Sequence, residues 1–333
     1  MKPNRGWMLG GAAMLAAGLL AACGGGESGG GGGTPTTEPA KVLKLAFVTN
    51  NTSEFWKIAA NGVRKYEAEG KVQVDIKMPP NGKTEEQNQI LENLVSQGYD
   101  AIAVSVIAPK DQVAILNRVA GQTKLITFDS DAAASNRLLY VGTVNYDAGK
   151  ALGERIVTLL PKGGQVAAFV GFFSADNAGQ RLKGIEDAIK GHGIEIVEKR
   201  EDQTDRAKAR SNVEDIVNAR RELALVTGLW SYNGPAIAAA LEGTGKKGKV
   251  LAAVFDEEDG TLAGIKNGTI QATVVQKPYE MGYRSAKWMH RLASDFEKAK
   301  AEIPKDGIEN TGVEVLDKDN IADFEKRLAE WKK

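Results

Sequence analysis

Two aspartates in distant parts of the chain each follow an apolar segment that ends in phenylalanine. Asp129 ends the segment LITFD, and Asp256 ends the segment LAAVFD. A carboxylate in such a position either caps a following helix or offers two oxygens as hydrogen-bond acceptors to a ligand. Taken alone, each aspartate leaves both roles open.

Other polar and aromatic residues stand at or just after the ends of further apolar segments. They are Asn51, Phe55, Trp56, Ser105, Arg181, Trp230, Asn233 and Gln276. Carboxylates accept hydrogen bonds from neighbouring hydroxyls, arginine donates to ring or hydroxyl oxygens, and aromatic rings cover apolar C–H faces. These chemical types together suit a polyhydroxylated ring, whereas a phosphate would require more positive charge.

Each of these residues also has a purely structural alternative. Phe55 and Trp56 are adjacent, so one helix cannot direct both rings to the same side, and one of them belongs in the core. Arg181 could be a solvated helix residue, and Gln276 a surface residue of a strand. The recurrence of such residues at equivalent strand ends in two halves of the chain favours the binding role.

The segments that must position these residues alternate between strand and helix patterns from Val42 onward. Short apolar runs such as AIAVSVI are followed by segments of helical spacing, and Thr84–Gln87 reads as a capping box that opens a helix. This alternation predicts an α/β fold with parallel sheets flanked by helices. About ten strands exceed what one compact sheet of this type usually holds, so we expect two similar lobes. In such sheets ligands bind beyond the carboxyl ends of the strands.

The composition restricts the class of partner. The chain has 333 residues, with 43 basic and 43 acidic side chains and 42% hydrophobic residues. This length allows two domains. The balanced charge provides no basic field for phosphates, so we expect no nucleic-acid partner.

The N-terminal residues differ from the rest of the chain. Lys2 and Arg5 precede an apolar run, and the segment LAAC then ends at Cys23, the only cysteine of the chain. This segment resembles a bacterial lipobox, so we predict a lipoprotein signal peptide over residues 1–23 and lipidation of Cys23 as a membrane anchor. A plain secretory signal is the alternative. The glycine-rich residues 24–40 predict a flexible linker.

Several motifs for other chemistry fail on their context. The segment GTGKKG at 243–248 matches a dinucleotide-binding pattern, but it follows a helix and precedes a strand, the reverse of a phosphate-binding turn. The acids around Ser130 lack the later ligands of a calcium loop. The two histidines, His192 and His290, lie in no zinc or hydrolase spacing. We therefore expect no metal and no cofactor.

The segments TNNTSEFW, TFDSD, RLKG, VFDEEDGTLAGIKNGTIQATVVQKP and the lipobox together resemble the type I periplasmic binding proteins, the ribose-binding-like components of sugar ABC transporters. The resemblance spans roughly residues 42–316. It implies two Rossmann-like lobes joined by a three-crossing hinge, with a monosaccharide between them. The implied crossings lie near residues 143–146, 275–278 and 304–308. The N-terminal lobe would comprise residues 41–145 plus 277–305, and the C-terminal lobe 146–276 plus 306–333.

Carried over residue by residue, the resemblance implies a set of ligand-binding residues from both lobes. They are Asn51, Phe55, Trp56, Asp129, Arg181, Asp256 and Gln276. The chain departs from the ribose-binding pattern at Ser130, where an arginine is usual, at Ser105, where an asparagine is usual, and at Thr204, where an aromatic is usual. The departures favour another pentose or hexose. Which of Trp230, Tyr232 and Asn233 contacts the ligand stays open.

The sequence thus predicts an extracytoplasmic, monomeric, non-enzymatic protein that captures a monosaccharide and delivers it to an ABC transporter permease. One alternative is a sensor that presents a sugar to a chemoreceptor or signalling partner. Another is a two-lobed carbohydrate-active enzyme with Asp129 and Asp256 as acid and base, although no nucleophile or cofactor loop accompanies them.

Overall fold

Two six-stranded sheets organise residues 42–332, the part of the chain that this computed structural model describes. The first sheet has, side by side, the strands β11 (Ile308–Asn310), β5 (Tyr140–Gly142), β4 (Lys124–Phe128), β3 (Ala101–Val104), β1 (Leu45–Val48) and β2 (Val74–Lys77). The second has β12 (Glu314–Leu316), β10 (Ala272–Val275), β9 (Leu251–Phe255), β8 (Leu223–Gly228), β6 (Gly164–Val170) and β7 (Ile194–Glu201). Neighbouring strands are parallel, except that β12 runs antiparallel to β10.

Helices flank both sheets. In chain order they are α1 (Glu54–Gly70), α2 (Thr84–Ser96), α3 (Val113–Ala120), α4 (Asn145–Leu159), α5 (Asp176–Ile189), α6 (Arg206–Ala219), α7 (Asn233–Gly243), α8 (Asp259–Asn267), α9 (Pro278–Ser294), α10 (Phe296–Ala301) and α11 (Ile321–Trp331). We call the first sheet with α1–α3, α9 and α10 the first lobe, and the second sheet with α4–α8 and α11 the second lobe. The predicted α/β class with flanked parallel sheets is confirmed.

The inner strands of both sheets are largely apolar because helices cover both faces of each sheet. All four residues of Leu45–Val48 are buried. Successive side chains of a strand point to opposite faces, so Phe47 packs in the core under α1 and α9, whereas Ala46 and Val48 pack in the core under α2 and α3. Phe47 also stacks on Phe128, with ring centroids 4.0 Å apart. The β4 strand, which Asp129 follows directly, is therefore held at the centre of the first lobe.

The chain passes between the sheets three times, after β5, after β10 and after β11. The first two passages agree with the predicted crossings, but the third does not. Residues 306–310 were expected in the C-terminal lobe, with a crossing at 304–308, and this boundary is wrong. Ile308 pairs with Tyr140, so β11 forms the edge of the first sheet, and the crossing follows it.

A pair of glycines allows α1 and α9 of the first lobe to cross at very short range. A Cβ atom on Gly282 would lie 1.8 Å from the carbonyl oxygen of Ala59, and one on Gly62 would lie 2.0 Å from that of Tyr279. No side chain fits at either distance. The close crossing depends on glycine at both positions.

The second lobe repeats this arrangement between α4 and α5. A Cβ atom on Gly149 would lie 2.0 Å from the carbonyl oxygen of Arg181, and one on Gly184 would lie 2.1 Å from that of Tyr146. In both lobes, therefore, the helix that follows a crossing packs tightly against the helix that follows the lobe's first strand.

The predicted signal peptide (1–23), the linker (24–40) and Cys23 lie outside the described residues. Within residues 42–332 no helix is both long enough and apolar enough to cross a membrane.

Candidate functional site

Asp129 and Asp256 occupy equivalent places, one residue beyond β4 and β9 respectively. Both have left-handed backbone conformations, with φ of 55° and 67°. Their amide nitrogens donate to the next strand, Asp129 to the carbonyl oxygen of Val141 at 3.1 Å and Asp256 to that of Val274 at 2.8 Å. Their own carbonyl oxygens accept side-chain hydroxyls, from Tyr140 at 2.9 Å and Thr273 at 2.7 Å respectively.

This conformation is costly for a residue with a side chain, at about 1–3 kcal/mol per residue. It persists because the neighbouring strand and hydroxyl hold the backbone on both sides. Its effect is to turn each carboxylate out of the strand direction at the edge of the sheet. Because the same backbone arrangement occurs at matching strand ends of both lobes, we expect the two aspartates to have the same role.

The helix-cap alternative does not account for either aspartate. No helix follows Asp129 before the chain enters β5. The helix after Asp256 has Glu258 at its N-cap, and no side chain caps it. The two carboxylates are therefore available for another role.

A chain of hydrogen bonds surrounds Asp129. Ser105, which is fully buried, donates from Oγ to Asp129 Oδ2 at 3.2 Å and accepts from Asn50 Nδ2 at 3.1 Å. Asn50 Oδ1 in turn accepts from Trp56 Nε1 at 2.8 Å. Asn50 was not among the predicted site residues. Its place directly after the run that forms β1 was the only signal available in the sequence.

The two adjacent aromatic residues divide between core and surface, as their spacing requires. Trp56 is buried and packs edge-on against Phe128, with ring centroids 5.6 Å apart. Phe55 is half-buried and touches the edge of the Trp56 ring at 4.8 Å. Phe55 is therefore the aromatic residue of this pair that still has an accessible face.

Asn51 and Ser130 shape the backbone around the site. Asn51 is exposed, accepts from the amide of Ser53 at 2.8 Å and donates to Asn50 at 2.8 Å, so it orders the turn before α1. Ser130 is half-buried; its amide donates to Phe128 at 2.6 Å and its carbonyl accepts from Val106 at 3.1 Å.

Gln87 joins the strand ends under the first half of the site. It is fully buried, and its amide donates to the carbonyl oxygens of Thr49 at 2.9 Å and Ser105 at 2.7 Å. The predicted capping box is therefore wrong: Thr84 is the first residue of α2, the N-cap is Lys83, and no side chain caps the helix. The side chain of Gln87 satisfies two backbone carbonyls between strands instead.

Arg181 lies at the centre of the second half of the site. It is only 3% exposed, which excludes the solvated alternative. Its Nη1 donates to the Leu229 carbonyl at 2.7 Å, its Nε donates to Asn145 Oδ1 at 3.0 Å, and its guanidinium lies 4.4 Å from the centre of the Phe255 ring. Its Nη1 is 3.8 Å from Asp256 Oδ2. Four separate contacts thus fix one buried cation beside a carboxylate.

Gln276 completes this half, because its Nε2 donates to Asp256 Oδ1 at 3.1 Å. Gln276 lies in the crossing after β10, so a residue between the lobes contacts the carboxylate of the second one. The structure brings Arg181, Asp256 and Gln276 into contact with one another.

Burial and the charge of a single cation, Arg181, both shift the pKa of the two carboxyl groups. Burial raises the pKa of Asp129 to about 6; the Ser105 hydrogen bond and the charge of Arg181 oppose this shift, and the charge of Asp256 adds to it. Burial also raises the pKa of Asp256, against the effects of Arg181 and Gln276. The charges of Arg181 and Asp256, both in the second lobe, thus act on Asp129 in the first.

The turn after β8 carries Trp230, and α7 begins at Asn233. Trp230 is half-buried; it donates from Nε1 to Asn177 Oδ1 at 3.2 Å, and its ring covers Gly171, where a Cβ atom would lie 2.1 Å from the ring. Asn233 is buried, accepts from the Trp230 amide at 3.0 Å and donates to Asp202 Oδ2 at 3.1 Å. Both polar groups of Asn233 are thus engaged within the protein, and they hold the turn.

Among residues 42–332 no group of three or more histidine, cysteine, aspartate or glutamate side chains could hold a metal ion.

A protein-family model matches most of the described part of the chain. The model of the periplasmic binding protein domain matches residues 45–298, and the chain belongs to this family. Its two sheets of mostly parallel strands make it a type I member, which confirms the resemblance that the sequence motifs carry.

Similar proteins align with most of the chain. The ribose import binding protein of Haemophilus influenzae is 26% identical over 220 residues, 65% of this chain and 73% of the relative. The D-allose-binding periplasmic protein of Escherichia coli is 26% identical over 269 residues, 77% of this chain and 84% of the relative. A crystal structure of an ABC transporter solute-binding protein from Burkholderia graminis, in complex with D-arabinose, is 31% identical with a TM-score of 0.75, and the match covers 85% of this chain and 98% of that one.

Proposed function

We propose that this protein is an extracytoplasmic solute-binding protein that captures a monosaccharide between its lobes and delivers it to an ABC transporter permease. The observation that carries the proposal is the pair of half-buried carboxylates, Asp129 and Asp256, at equivalent strand ends, with the charge of one buried cation, Arg181, acting on both. The family and the sugar-binding relatives support it.

The chemistry of the arrangement matches a sugar ring. Asp129 and Asp256 each offer carboxylate oxygens to hydroxyl donors, and hydrogen bonds to a charged acceptor are the stronger kind. The Nη2 of Arg181 takes no part in the bonds to Leu229 and Asn145 and can donate to a ring or hydroxyl oxygen. The free face of Phe55 suits the apolar C–H side of the ring. D-Arabinose, the ligand of the Burkholderia graminis relative, is the first sugar to test.

Binding without catalysis is the role that we propose. The relatives are named as import or binding proteins. The same names favour transport over the sensor alternative. We also propose that the two lobes act as the two walls of the binding cleft, and that the protein is a monomer.

A thermal-shift panel of pentoses and hexoses tests the proposal on the purified protein. A sugar present at 100 times its dissociation constant is expected to raise the free energy of unfolding by about 2.7 kcal/mol, because it binds only the folded state. The enantiomer of each active sugar is the matched control, since it has the same effect on the solvent. The proposal fails if no monosaccharide raises the melting temperature, and steady product formation from a bound sugar would favour the enzyme alternative.

We propose that Cys23 carries a lipid that anchors the protein at the outer side of a membrane, with residues 24–40 as the tether. Several acyl chains hold firmly, since each buried methylene contributes about 0.8 kcal/mol. Cells fed with radioactive palmitate are expected to label the natural chain and not the Cys23→Ser variant. A variant that stays labelled and bound to membranes contradicts the anchor.

A further inference from the structure

A buried carboxylate outside the predicted site, that of Asp202, lies one residue beyond β7. It is 1% exposed and accepts three hydrogen bonds: from the Tyr232 hydroxyl, from Asn233 Nδ2 at 3.1 Å and from the Thr204 amide at 2.9 Å. All three donors are neutral. Burying a carboxylate costs free energy unless its oxygens accept hydrogen bonds. Asp202 therefore favours the one arrangement in which these three donors reach it.

The backbone beside Asp202 is held in an unfavourable conformation. Gln203 and Thr204 have φ of 58° and 68°, two successive residues with side chains in the left-handed region. Such a conformation persists only where surrounding contacts determine it. Here it directs the Thr204 amide to the Asp202 carboxylate, and the turn after β7 is thereby fixed.

Two of the three donors to Asp202, Tyr232 and Asn233, belong to the segment after β8, which also contacts the candidate site. Asn233 holds the Trp230 amide at 3.0 Å. The preceding residue, Leu229, accepts from Arg181 Nη1 at 2.7 Å. A connected set of hydrogen bonds therefore runs from Asp202 through Asn233 and this turn to the cation of the site.

We infer that Asp202 is a positioning residue: its carboxylate fixes the 229–233 turn and thereby places Arg181 and Trp230 for the ligand. The part that concerns the ligand rests on the proposed function. The inference extends the site to a residue that touches none of the predicted ligand-binding side chains except Asn233. In the sequence Asp202 stands among the polar residues REDQTD and gives no signal of burial.

The Asp202→Asn variant is the direct test, because it keeps the size of the side chain and replaces an acceptor oxygen by a donor. An NH₂ group would then face the Asn233 amide or the Tyr232 hydroxyl, which both donate. The Tyr232→Phe variant removes one donor only and serves if the first variant does not fold. Asp205→Ala is the matched control: Asp205 lies in the same loop, and its side chain caps α6 by accepting from the amides of Ala207 and Lys208 rather than from the 229–233 turn.

Two readouts separate positioning from general stability. The first is the fluorine NMR signal of Trp230 in protein labelled with 5-fluorotryptophan and free of sugar, assigned with Trp230→Phe. The second is the affinity for the sugar that is most active in the thermal-shift panel. Asp202→Asn is expected to shift or broaden the Trp230 signal and to weaken sugar binding about tenfold or more, since the Arg181 acceptor is displaced. Asp205→Ala is expected to lower only the melting temperature.

An unchanged Trp230 signal in a folded Asp202→Asn variant overturns the inference, and so does a shifted signal with unchanged affinity. If Asp202→Asn does not fold, the same two outcomes decide for Tyr232→Phe. If the natural protein binds no sugar at all, the proposed function fails, and the fluorine signal alone decides whether Asp202 holds the turn.

Discussion

Replacement of Asp256 or Asp129 by asparagine is expected to weaken monosaccharide binding by roughly 10- to 150-fold. Each carboxylate would lose charge-assisted hydrogen bonds to sugar hydroxyls, worth about 1.5–3 kcal/mol, and a factor of ten in affinity corresponds to about 1.4 kcal/mol. Asparagine is the appropriate substitute because it tolerates the left-handed backbone of both positions. Calorimetric titration with the active sugar measures the effect.

The control for charge is Asp131→Asn, because Asp131 lies two residues from Asp129 but pairs with Arg137 at 2.6 Å. It is expected to leave the affinity unchanged. Site variants that melt early yet bind the sugar normally would mean that the two aspartates serve the fold alone.

The pH dependence of sugar binding tests the role of the Asp129 carboxylate in a second way. The pKa of Asp129 is about 6 in the folded protein, so its acceptor charge is lost as the pH falls through 6, and sugar affinity is expected to fall with it. The stability of the sugar-free protein changes in the opposite sense. The folded pKa exceeds the unfolded value of about 3.9, so the folded state binds more protons between these values, and this group lowers stability as the pH rises through the window. Asp129→Asn is expected to flatten both profiles.

Gly282→Ala is expected to lower the free energy of unfolding by about 3 kcal/mol, at the upper end of the usual cost of overpacking. The added Cβ would lie 1.8 Å from the Ala59 carbonyl oxygen. That atom belongs to the backbone of α1, so α1 and α9 would have to move apart. Urea denaturation, followed by circular dichroism, measures the loss.

Gly121→Ala is the matched control for this variant. Gly121 ends α3 with φ of −73°, and the nearest atoms to an added Cβ lie at 3.5 Å, so the substitution is expected to change stability by no more than about 0.5 kcal/mol. Equal stabilities of the two variants would mean that the α1–α9 crossing adjusts at little cost.

The strand-end residues could be predicted because their signals are local. A buried strand is an apolar run, and Asp129 and Asp256 follow such runs directly, so both the fold class and the carboxylates follow from short segments. Arg181 could be proposed as a candidate from its chemistry and from its family position, but its burial could not be predicted, since nothing in its neighbours distinguishes it from a surface arginine.

The residues that could not be predicted depend on partners far away in the chain. Gln87 fits a capping box locally, but its bonds to two strand ends override that pattern. Asp202 is buried only because the turn at Tyr232 folds over it. Strand β11 has the sequence IEN, which carries no apolar pattern, and only its pairing with β5 makes it a strand.

The late position of α9 and β11 in the chain has a consequence for the course of folding. Helix α9 packs on α1, where Tyr283 bonds to Glu69, 214 residues earlier, and β11 closes the first sheet beside β5. Contacts between residues so far apart in the chain slow folding, because closing the loop between the two residues costs conformational entropy before the contact forms. A growing chain that ends before residue 278 lacks α9 and β11 of the first lobe and β12 and α11 of the second. Neither lobe can therefore finish folding until most of the chain has been synthesised, although the first lobe begins at the N-terminal end of the described chain.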